Sequence, residues 1–417
     1  MLKEIENVKM NGMPYYSDDR WVSPLNFDPE TRPETTSKQI YIHDVTLRDG
    51  EQTTGLNWTE DERIRIAVAL DRLGVQRIEV GMPIVSPDIV KACQDLSQMG
   101  LKSELVAFCR ARKDDIDYAL ESQVKHVIVE HAVNPYTNFY GYSVDDQKLL
   151  ERVISTIDYA TSKGLSVTFM GWDVTRAPLD YVLGIYRQVV EKVPVSSVVY
   201  TDSFGVATPN AISRVIREMK SSFDCPVEFH LHNEFGMAMG AVTSAIFAGV
   251  DGIHSSINGL GERTGNVATE EVIAASELLL NVPTGTDRTY IDEITKLVSD
   301  ITSIPIPTNK PVTGTKLFWL ESGVVVQAKE RMEQAGIGAA MSPYLPHLVG
   351  REDIKIVVGG SSGKDTMAYF LDKFGIPRKD DFDLAAALQA CKDLSREKRR
   401  NLTDDEVRAI LEAEAAR

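Results

Sequence analysis

The sequence is poor in cysteine, and it has no long apolar run. Its 417 residues include only four cysteines, which are widely scattered and form no C-x-x-C pair. Neither a disulfide framework nor a structural zinc site is therefore indicated, and a reducing, cytoplasmic location fits. No apolar run approaches the ~18 residues of a membrane span. The N-terminus carries acidic residues and lacks the apolar segment of a secretory signal.

Positive charge is also in short supply. The chain has 45 Lys and Arg residues against 61 Asp and Glu residues, a formal net charge of -16. This balance argues against nucleic-acid and anionic-membrane partners, because phosphate surfaces select clustered Lys and Arg. A hydrophobic content of 43% is ordinary for a globular protein. The expected partners are therefore small molecules.

A G-x-G-x-x-G motif is absent after the first predicted strand, which argues against a doubly wound open sheet. Short β-like runs instead alternate with amphipathic helical stretches, such as the one that Thr59 and Glu62 can start as a capping box and Gly74 can end. Eight β/α units in about 245 residues predict an α/β fold of the (β/α)8 TIM-barrel type. The predicted strands are 40–47, 75–81, 104–109, 125–130, 165–171, 196–201, 226–232 and 252–257.

The regions flanking the alternation have a different character. Residues 1–38 are polar without a sustained period and are interpreted as an N-terminal arm, and residues 39–285 as the catalytic barrel. A proline-containing stretch marks a linker over residues 286–314. Helical patterns dominate afterwards, which predicts a mostly helical C-terminal accessory region over residues 315–417.

Charged and imidazole side chains follow the predicted strands at the end where TIM barrels place their active sites. Arg48 and Asp49 end the first strand, and His230 and His232 end the seventh. Residues at i and i+2 of a strand face the same side, so both imidazoles can reach one ion. Asp49 adds a carboxylate, which completes a metal-ligating set with open positions.

Other residues near these strand ends allow two interpretations. Asn266 is either a further oxygen ligand or a turn residue, and the loop glycines 259, 261 and 265 either admit a ligand or only turn the chain. Arg48 beside a metal favours stabilisation of a developing oxyanion. Glu79 either holds Arg48 in place or transfers protons. Asp202 and Ser203 orient a histidine, bind a substrate carboxylate or cap the following helix.

Six motifs at the strand ends resemble those of the DRE-TIM metallolyases: TLRDGEQ, IEVGMP, AFCRARKDDID, TDSFGVATP, HLHNEFG and INGLGERTGN. They lie in order over residues 38–285 and are most similar to the 2-isopropylmalate, citramalate and homocitrate synthases. The resemblance implies a divalent metal (Mg, Mn or Zn), a 2-oxo acid and acetyl-CoA or another acyl-CoA as substrates, and a homodimer. It implies Asp49, His230 and His232 as metal ligands with Asn266 nearby, and Arg48 as the catalytic group that polarises the keto oxygen, supported by Glu79. The candidate substrate contacts are Gln52, Arg110, His131, Asp173, Arg176, Ser203, Asn258, Gly261 and Glu262.

The chain departs from the synthase pattern in its C-terminal region. Leu320, Val325 and Ser361 occupy positions where the synthases have histidines, and Met341 stands near a usual tyrosine, with Tyr344 close by. In the synthases this region helps to remove the acetyl-CoA proton, which neither Leu nor Val can do. The strand-4 loop lacks the usual S-x-x-H pattern, and Gly-Trp replaces the Ser-x-Glu start after strand 5.

The predicted function is a metal-dependent condensation of an acyl-CoA with a 2-oxo acid. A carbon–carbon lyase of the 3-hydroxy-3-methylglutaryl-CoA or aldolase type is the main alternative, since retro-cleavage needs the metal and Arg48 but not the missing histidines. A non-haem iron oxygenase is disfavoured by the β/α alternation. An inactive binding protein is disfavoured by the intact Arg48, Asp49, His230 and His232.

Overall fold

A closed barrel of eight parallel strands forms the centre of the computed structural model, which describes residues 12–339, 341–379 and 382–416. Each strand pairs with the next along the chain, and the last pairs with the first. The prediction of a TIM barrel is confirmed, and all eight predicted strands are present. The strands are β1 (Tyr41–Asp44), β2 (Arg77–Gly81), β3 (Glu104–Arg110), β4 (His126–Ala132), β5 (Ser166–Trp172), β6 (Ser197–Asp202), β7 (Val227–Leu231) and β8 (Gly252–Ser255).

One helix follows each strand and packs outside the barrel. These helices are α1 (Glu60–Leu73), α2 (Pro87–Gln98), α3 (Lys113–Glu121), α4 (Asp146–Ser162), α5 (Leu179–Lys192), α6 (Pro209–Ser222), α7 (Ala238–Phe247) and α8 (Thr269–Ala274). The capping box predicted for α1 is present: the Thr59 hydroxyl accepts the Glu62 N–H, and the Glu62 carboxylate accepts the Thr59 N–H. Gly74 ends the helix with a φ of 89°.

The barrel interior is layered along its axis. A middle layer of buried apolar side chains consists of Val106, Phe108, Ile128, Met170 and Val199. On the N-terminal side lies a buried polar network around Glu228, and on the C-terminal side lie the predicted site residues. Because parallel strands all point the same way, their carboxyl ends converge on one mouth of the barrel.

The described chain divides into two compact units. The first contains the barrel, with residues 25–306 and 311–313, and it includes a further helix, α9 (Ile291–Thr302). The second contains residues 12–24, 307–310 and the described residues from 314 onward. No helix in the described part of the chain is both long enough and apolar enough to cross a membrane.

The second unit is mostly helical, as the sequence predicts for the C-terminal region. Its helices are α10 (Gly323–Gln334), α11 (Lys364–Phe374), α12 (Leu384–Lys398) and α13 (Asp404–Ala415), which share an apolar core that includes Val326, Phe370, Cys391 and Val407. Two short strands, Trp319–Leu320 and Lys355–Ile356, pair in parallel. The Ser361 hydroxyl donates to the Glu321 carboxylate at 2.6 Å, so a serine–carboxylate pair stands where the synthases have a histidine.

Candidate active site

The predicted metal ligands come together at the mouth of the barrel. Asp49, His230 and His232 are all buried, and each offers one ligand atom within 4.8 Å of the others. The nearest oxygen of Asp49 lies 3.5 Å from Nε2 of His230 and 3.9 Å from Nε2 of His232. The two histidines lie two residues apart at the end of β7, and Asp49 follows β1 through a short turn. The convergence predicted from the sequence is present in the structure.

Several buried atoms of this cluster lack a hydrogen-bond partner. Asp49 Oδ1, His230 Nδ1 and His232 Nδ1 have none. Asn266 donates through its amide nitrogen to the Leu260 carbonyl at 2.9 Å, and its buried Oδ1 is also unpartnered. Unsatisfied buried polar atoms are costly in a folded protein. Two imidazoles, a carboxylate and an amide oxygen suit a divalent cation, so these residues fit the metal that the resemblance implies.

The electrostatics of this cluster also favours the binding of a cation. Burial lowers the pKa of His230 well below its usual range, and the neighbouring His232 and Arg48 add to the effect. Burial lowers the pKa of His232 as well, although Asp49 acts in the opposite direction. Both imidazoles are therefore neutral at physiological pH, the form that can donate a lone pair to a metal.

Arg48 is held rigidly beside the cluster. Its Nε donates to Glu79 at 2.5 Å and its Nη1 to Asp49 at 2.7 Å, and its guanidinium stacks 4.3 Å from the centre of the Phe108 ring. Burial alone would raise the pKa of Glu79, but Arg48 and His43 outweigh it and lower that pKa to about 2. Glu79 is therefore an ionised partner that orients Arg48, which favours the first of its two predicted roles.

Arg48, Asp49, His230 and His232 line a cavity of about 270 Å³, called here the inner cavity. Of the candidate substrate contacts, Gln52, Arg110, Ser203 and Glu262 also line it. A second cavity of about 670 Å³, the outer cavity, is lined by His131 and shares Arg110, Glu130, Tyr142 and Trp172 with the first. The two cavities therefore adjoin at the ends of β3, β4 and β5.

Five of the nine candidate substrate contacts do not line the inner cavity: His131, Asp173, Arg176, Asn258 and Gly261. Asp173 forms a two-point ion pair with Arg176 at 2.6 and 2.7 Å and accepts the Thr137 hydroxyl, so its carboxylate is used within its own loop. Asn258 donates its side-chain amide to the Thr295 carbonyl at 2.9 Å. Asp202 accepts the N–H groups of Val206 and Ala207 in the loop before α6, whereas Thr208 caps that helix.

Gly261 lies against the predicted ligands in a conformation that favours glycine. Its φ is 156°, and a Cβ built there would lie 2.4 Å from the Asn266 amide nitrogen and 3.0 Å from Asp49 Oδ1. The glycine is therefore needed for the backbone to pass so close to the cluster.

We expect Gly261→Ala to displace the Asn266 side-chain amide and the Asp49 carboxylate and to weaken Mn²⁺ binding about 10-fold or more, as measured by isothermal titration calorimetry. Gly100→Ala is the matched control, because Gly100 also has a positive φ, 66°, but nothing lies within 4 Å of its added Cβ. Equal Mn²⁺ affinity in the two variants would show that Gly261 does not position the cluster.

A buried ion network lies on the N-terminal side of the apolar layer and was not predicted from the sequence. The Glu228 carboxylate accepts from His254 at 2.7 Å, from His43 at 3.2 Å and from Arg77 at 2.8 Å, and the His43 and His254 rings stack at 4.0 Å. Although His43, Glu228 and His254 could geometrically hold a metal, the Arg77 guanidinium already neutralises the carboxylate. His43 also lies 3.3 Å from Glu79, which links this network to Arg48.

The match to a known protein family lies within the unit that contains the barrel. The sequence model of the HMGL-like family matches residues 39–298, which is more than half of the chain. The chain belongs to the HMGL-like family. The family assignment made from the strand-end motifs is therefore confirmed.

Relatives of this HMGL-like protein cover almost all of its length. A probable 2-isopropylmalate synthase from Ignicoccus hospitalis is 37% identical over 91% of this chain and 93% of its own. The homocitrate synthase AksA from Methanothermobacter thermautotrophicus is 33% identical over 92% of this chain and 95% of its own. The HMG-CoA lyase of Bacillus subtilis, at 19% identity, superposes with a TM-score of 0.59 over 66% of this chain and 97% of that one, which supports the fold alone.

Proposed function

We propose that this protein catalyses a metal-dependent, Claisen-type condensation of acetyl-CoA with a 2-oxo acid, giving a 2-hydroxy dicarboxylic or tricarboxylic acid. The observation that carries the proposal is the buried cluster of Asp49, His230 and His232 beside the Arg48–Glu79 pair. The named synthases among the relatives support an acyltransferase of this kind over other chemistries on the same fold.

Four residues would hold the metal: Asp49, His230, His232 and, through Oδ1, Asn266. A divalent ion bound there would act as a Lewis acid on the keto carbonyl. Its identity among Mg²⁺, Mn²⁺ and Zn²⁺ is open, since the mixed nitrogen and oxygen donors suit each of them.

Arg48 is the group that stabilises the negative charge that develops on the keto oxygen during the reaction. When a carbon nucleophile adds to the keto carbon, the keto oxygen becomes an alkoxide. The Arg48 guanidinium is preorganised by Glu79 and Phe108, so it can stabilise that charge without first reorienting. Glu79 is a positioning residue in this scheme, because its carboxylate is occupied by Arg48 and lies next to His43.

The inner cavity offers polar groups for the substrate carboxylate. Thr201 has a buried hydroxyl without a hydrogen-bond partner, and the Ser203 hydroxyl accepts the Asp173 N–H at 2.8 Å. Gln52 and Arg110 also line the inner cavity. We assign the carboxylate to this group. Thr201 was not a sequence candidate, although it shares a strand face with Ser203.

A thiol-release assay tests the proposal. The purified protein is supplied with Mg²⁺, Mn²⁺ or Zn²⁺, acetyl-CoA and one of pyruvate, 2-oxoisovalerate, oxaloacetate or 2-oxoglutarate. We expect metal-dependent CoA release that requires one of the oxo acids and stops when the metal is chelated. Release that is independent of every oxo acid would contradict a condensation.

Carbon–carbon cleavage is the second candidate. It is favoured by the replacement of three expected histidines with Leu320, Val325 and Ser361, since cleavage does not need an acetyl-CoA base. The same assay therefore includes 3-hydroxy-3-methylglutaryl-CoA as substrate. Its metal-dependent conversion to acetyl-CoA, without CoA release in the first assay, would assign a lyase. A homodimer and a cytoplasmic location stay predictions from the sequence.

A further inference from the structure

Glu130 faces inward where β4 reaches the mouth of the barrel. It lies two positions beyond Ile128, which is buried in the apolar layer, and residues two apart on a strand share a face. In register, Arg110 of β3 flanks it on one side and Met170 of β5 on the other. Glu130 lines both the inner and the outer cavity, so it stands where the two adjoin.

The carboxylate of Glu130 is not used by the fold. The neighbouring cations have other partners, because Arg48 pairs with Glu79 and Arg110 with Asp115. Among the described residues, no hydrogen bond or ion pair reaches the Glu130 side chain. Burial raises the pKa of Glu130 to about 7, although Arg48 acts in the opposite direction. A carboxyl group with a pKa near neutrality is suited to giving and taking protons.

The imidazole, guanidinium and other carboxylate groups that line the inner cavity are committed elsewhere. Asp49, His230 and His232 form the candidate metal cluster, and the two arginines cannot accept a proton. Glu262 is exposed and pairs with Arg263 at 3.0 Å. The described lining therefore contains one carboxylate, that of Glu130, that has neither an ion-pair partner nor a place in the metal cluster.

The outer cavity has the charge expected of an entry path for CoA. Arg110 and Arg112 in its lining pair with Asp115 and Asp114, and two further cations, Lys113 and Arg152, stand against the one remaining carboxylate, that of Glu130. This local excess of positive charge occurs in a chain whose formal net charge is -16. Phosphate groups select such patches. An acyl chain that enters past them reaches Glu130 before it reaches Arg48.

From this placement we infer that Glu130 is the catalytic base that removes a methyl proton of acetyl-CoA, in place of the C-terminal histidines that this chain lacks. The inference rests on the proposed condensation. The methyl C–H bond breaks, its proton passes to a Glu130 oxygen, and its electron pair forms the enolate of the thioester. The enolate carbon then bonds to the keto carbon, and the alkoxide formed beside Arg48 takes up the proton held by Glu130, which restores the Glu130 carboxylate. Water finally cleaves the thioester, which releases CoA as the thiol and leaves a new carboxyl group.

The test compares four proteins: the wild type, Glu130→Gln, Glu130→Asp and the control Glu191→Gln, an exposed carboxylate on α5. CoA release is measured with acetyl-CoA and with acetyl-CoA carrying a deuterated methyl group, and circular dichroism checks the fold. We expect Glu130→Gln to lower kcat about 10²–10⁴-fold, with little change in the KM of the 2-oxo acid. Glu191→Gln should match the wild type.

Glu130→Asp distinguishes a base from a packing or binding role. Its shorter side chain lengthens the proton-transfer distance, so C–H cleavage should limit turnover more strongly and the deuterium isotope effect on kcat should exceed that of the wild type. A Glu130→Gln enzyme that keeps more than a tenth of wild-type kcat, or an effect confined to KM, would overturn the inference while leaving the condensation intact. A wild type that releases no CoA with any oxo acid would instead contradict the proposed function itself.

Discussion

Asp49→Ala is expected to abolish metal binding and to lower CoA release by about 10³-fold or more, since losing several kcal/mol of charge stabilisation has that effect on a rate. The carboxylate has two functions that the substitution removes together. It lies within 3.5–3.9 Å of Nε2 of both histidines, and it accepts a hydrogen bond from Arg48. The measurements are Mn²⁺ content after equilibrium dialysis and the initial rate of CoA release.

Two further variants separate the functions of Asp49. His232→Ala removes a predicted ligand that forms no hydrogen bond with Arg48 among the described residues, and it should lose Mn²⁺ to the same extent. Asp158→Ala, on the exposed face of α4, should retain full metal content and full activity. Wild-type Mn²⁺ content in both Asp49→Ala and His232→Ala would contradict the assigned metal site.

Glu228→Gln is expected to destabilise the barrel by about 3–5 kcal/mol, the usual result of removing one partner from a buried ion pair. The glutamine has nearly the same shape but no charge, so Arg77, His43 and His254 lose their common anion inside the barrel. The measurement is the free energy of unfolding from urea titration at pH 7. Glu104→Gln is the matched control: Glu104 also pairs with Arg77, but it is 40% exposed, and about 1 kcal/mol or less is expected.

The effect of Glu228→Gln should also depend on pH. Burial alone would raise the pKa of Glu228, but His254, His43 and Arg77 outweigh it and hold that pKa well below 4.5. A carboxyl group whose pKa is lowered by folding stabilises the protein above the unfolded pKa and loses this contribution as the pH falls. The difference between wild type and variant should therefore be full at pH 7 and narrow below about pH 4.5. A difference that is constant between pH 7 and pH 3 would contradict the ionised state of Glu228.

The barrel and the cluster of candidate metal ligands at its mouth could be predicted because both follow from simple periodicities. Alternating strand and helix patterns gave all eight strands, and parallel strands bring their carboxyl ends together whatever the loops do. His230 and His232 had to share a face, because they are two residues apart on one strand. Asp49 then joined them because β1 and β7 both end at the same mouth.

Glu130 was not predicted as a site residue, because the sequence analysis chose the residue next to it, which lies on the other face of the strand. The fourth strand was predicted to end at residue 130, and the neighbouring His131 was taken as the candidate. The strand continues to Ala132, and Glu130 lines the inner cavity, while His131 lines only the outer one and donates through Nδ1 to the Ala132 carbonyl oxygen at 2.8 Å. Neighbouring residues of a strand point to opposite faces, so choosing His131 instead of Glu130 selects the wrong face of the strand.

The pairing between charged residues was not predicted from the sequence either. Asp173 and Arg176 were both predicted to contact the substrate, but their spacing of three residues lets them pair with each other within one turn. The network around Glu228 joins residues of β1, β2, β7 and β8, and no local sequence pattern in those strands indicates which residues pair. Such pairings depend on the register of distant strands, which a single sequence does not encode in any short pattern.

The most direct test of the account is to follow the methyl carbon of acetyl-CoA. The metal-loaded enzyme is incubated with acetyl-CoA labelled with ¹³C at the methyl position and with the oxo acid that releases CoA, and the products are examined by NMR. The account predicts that the label becomes a methylene carbon bonded to the carbinol carbon of a 2-hydroxy acid, and that Asp49→Ala forms none. Label recovered only as acetate or unchanged acetyl-CoA would contradict condensation at this site.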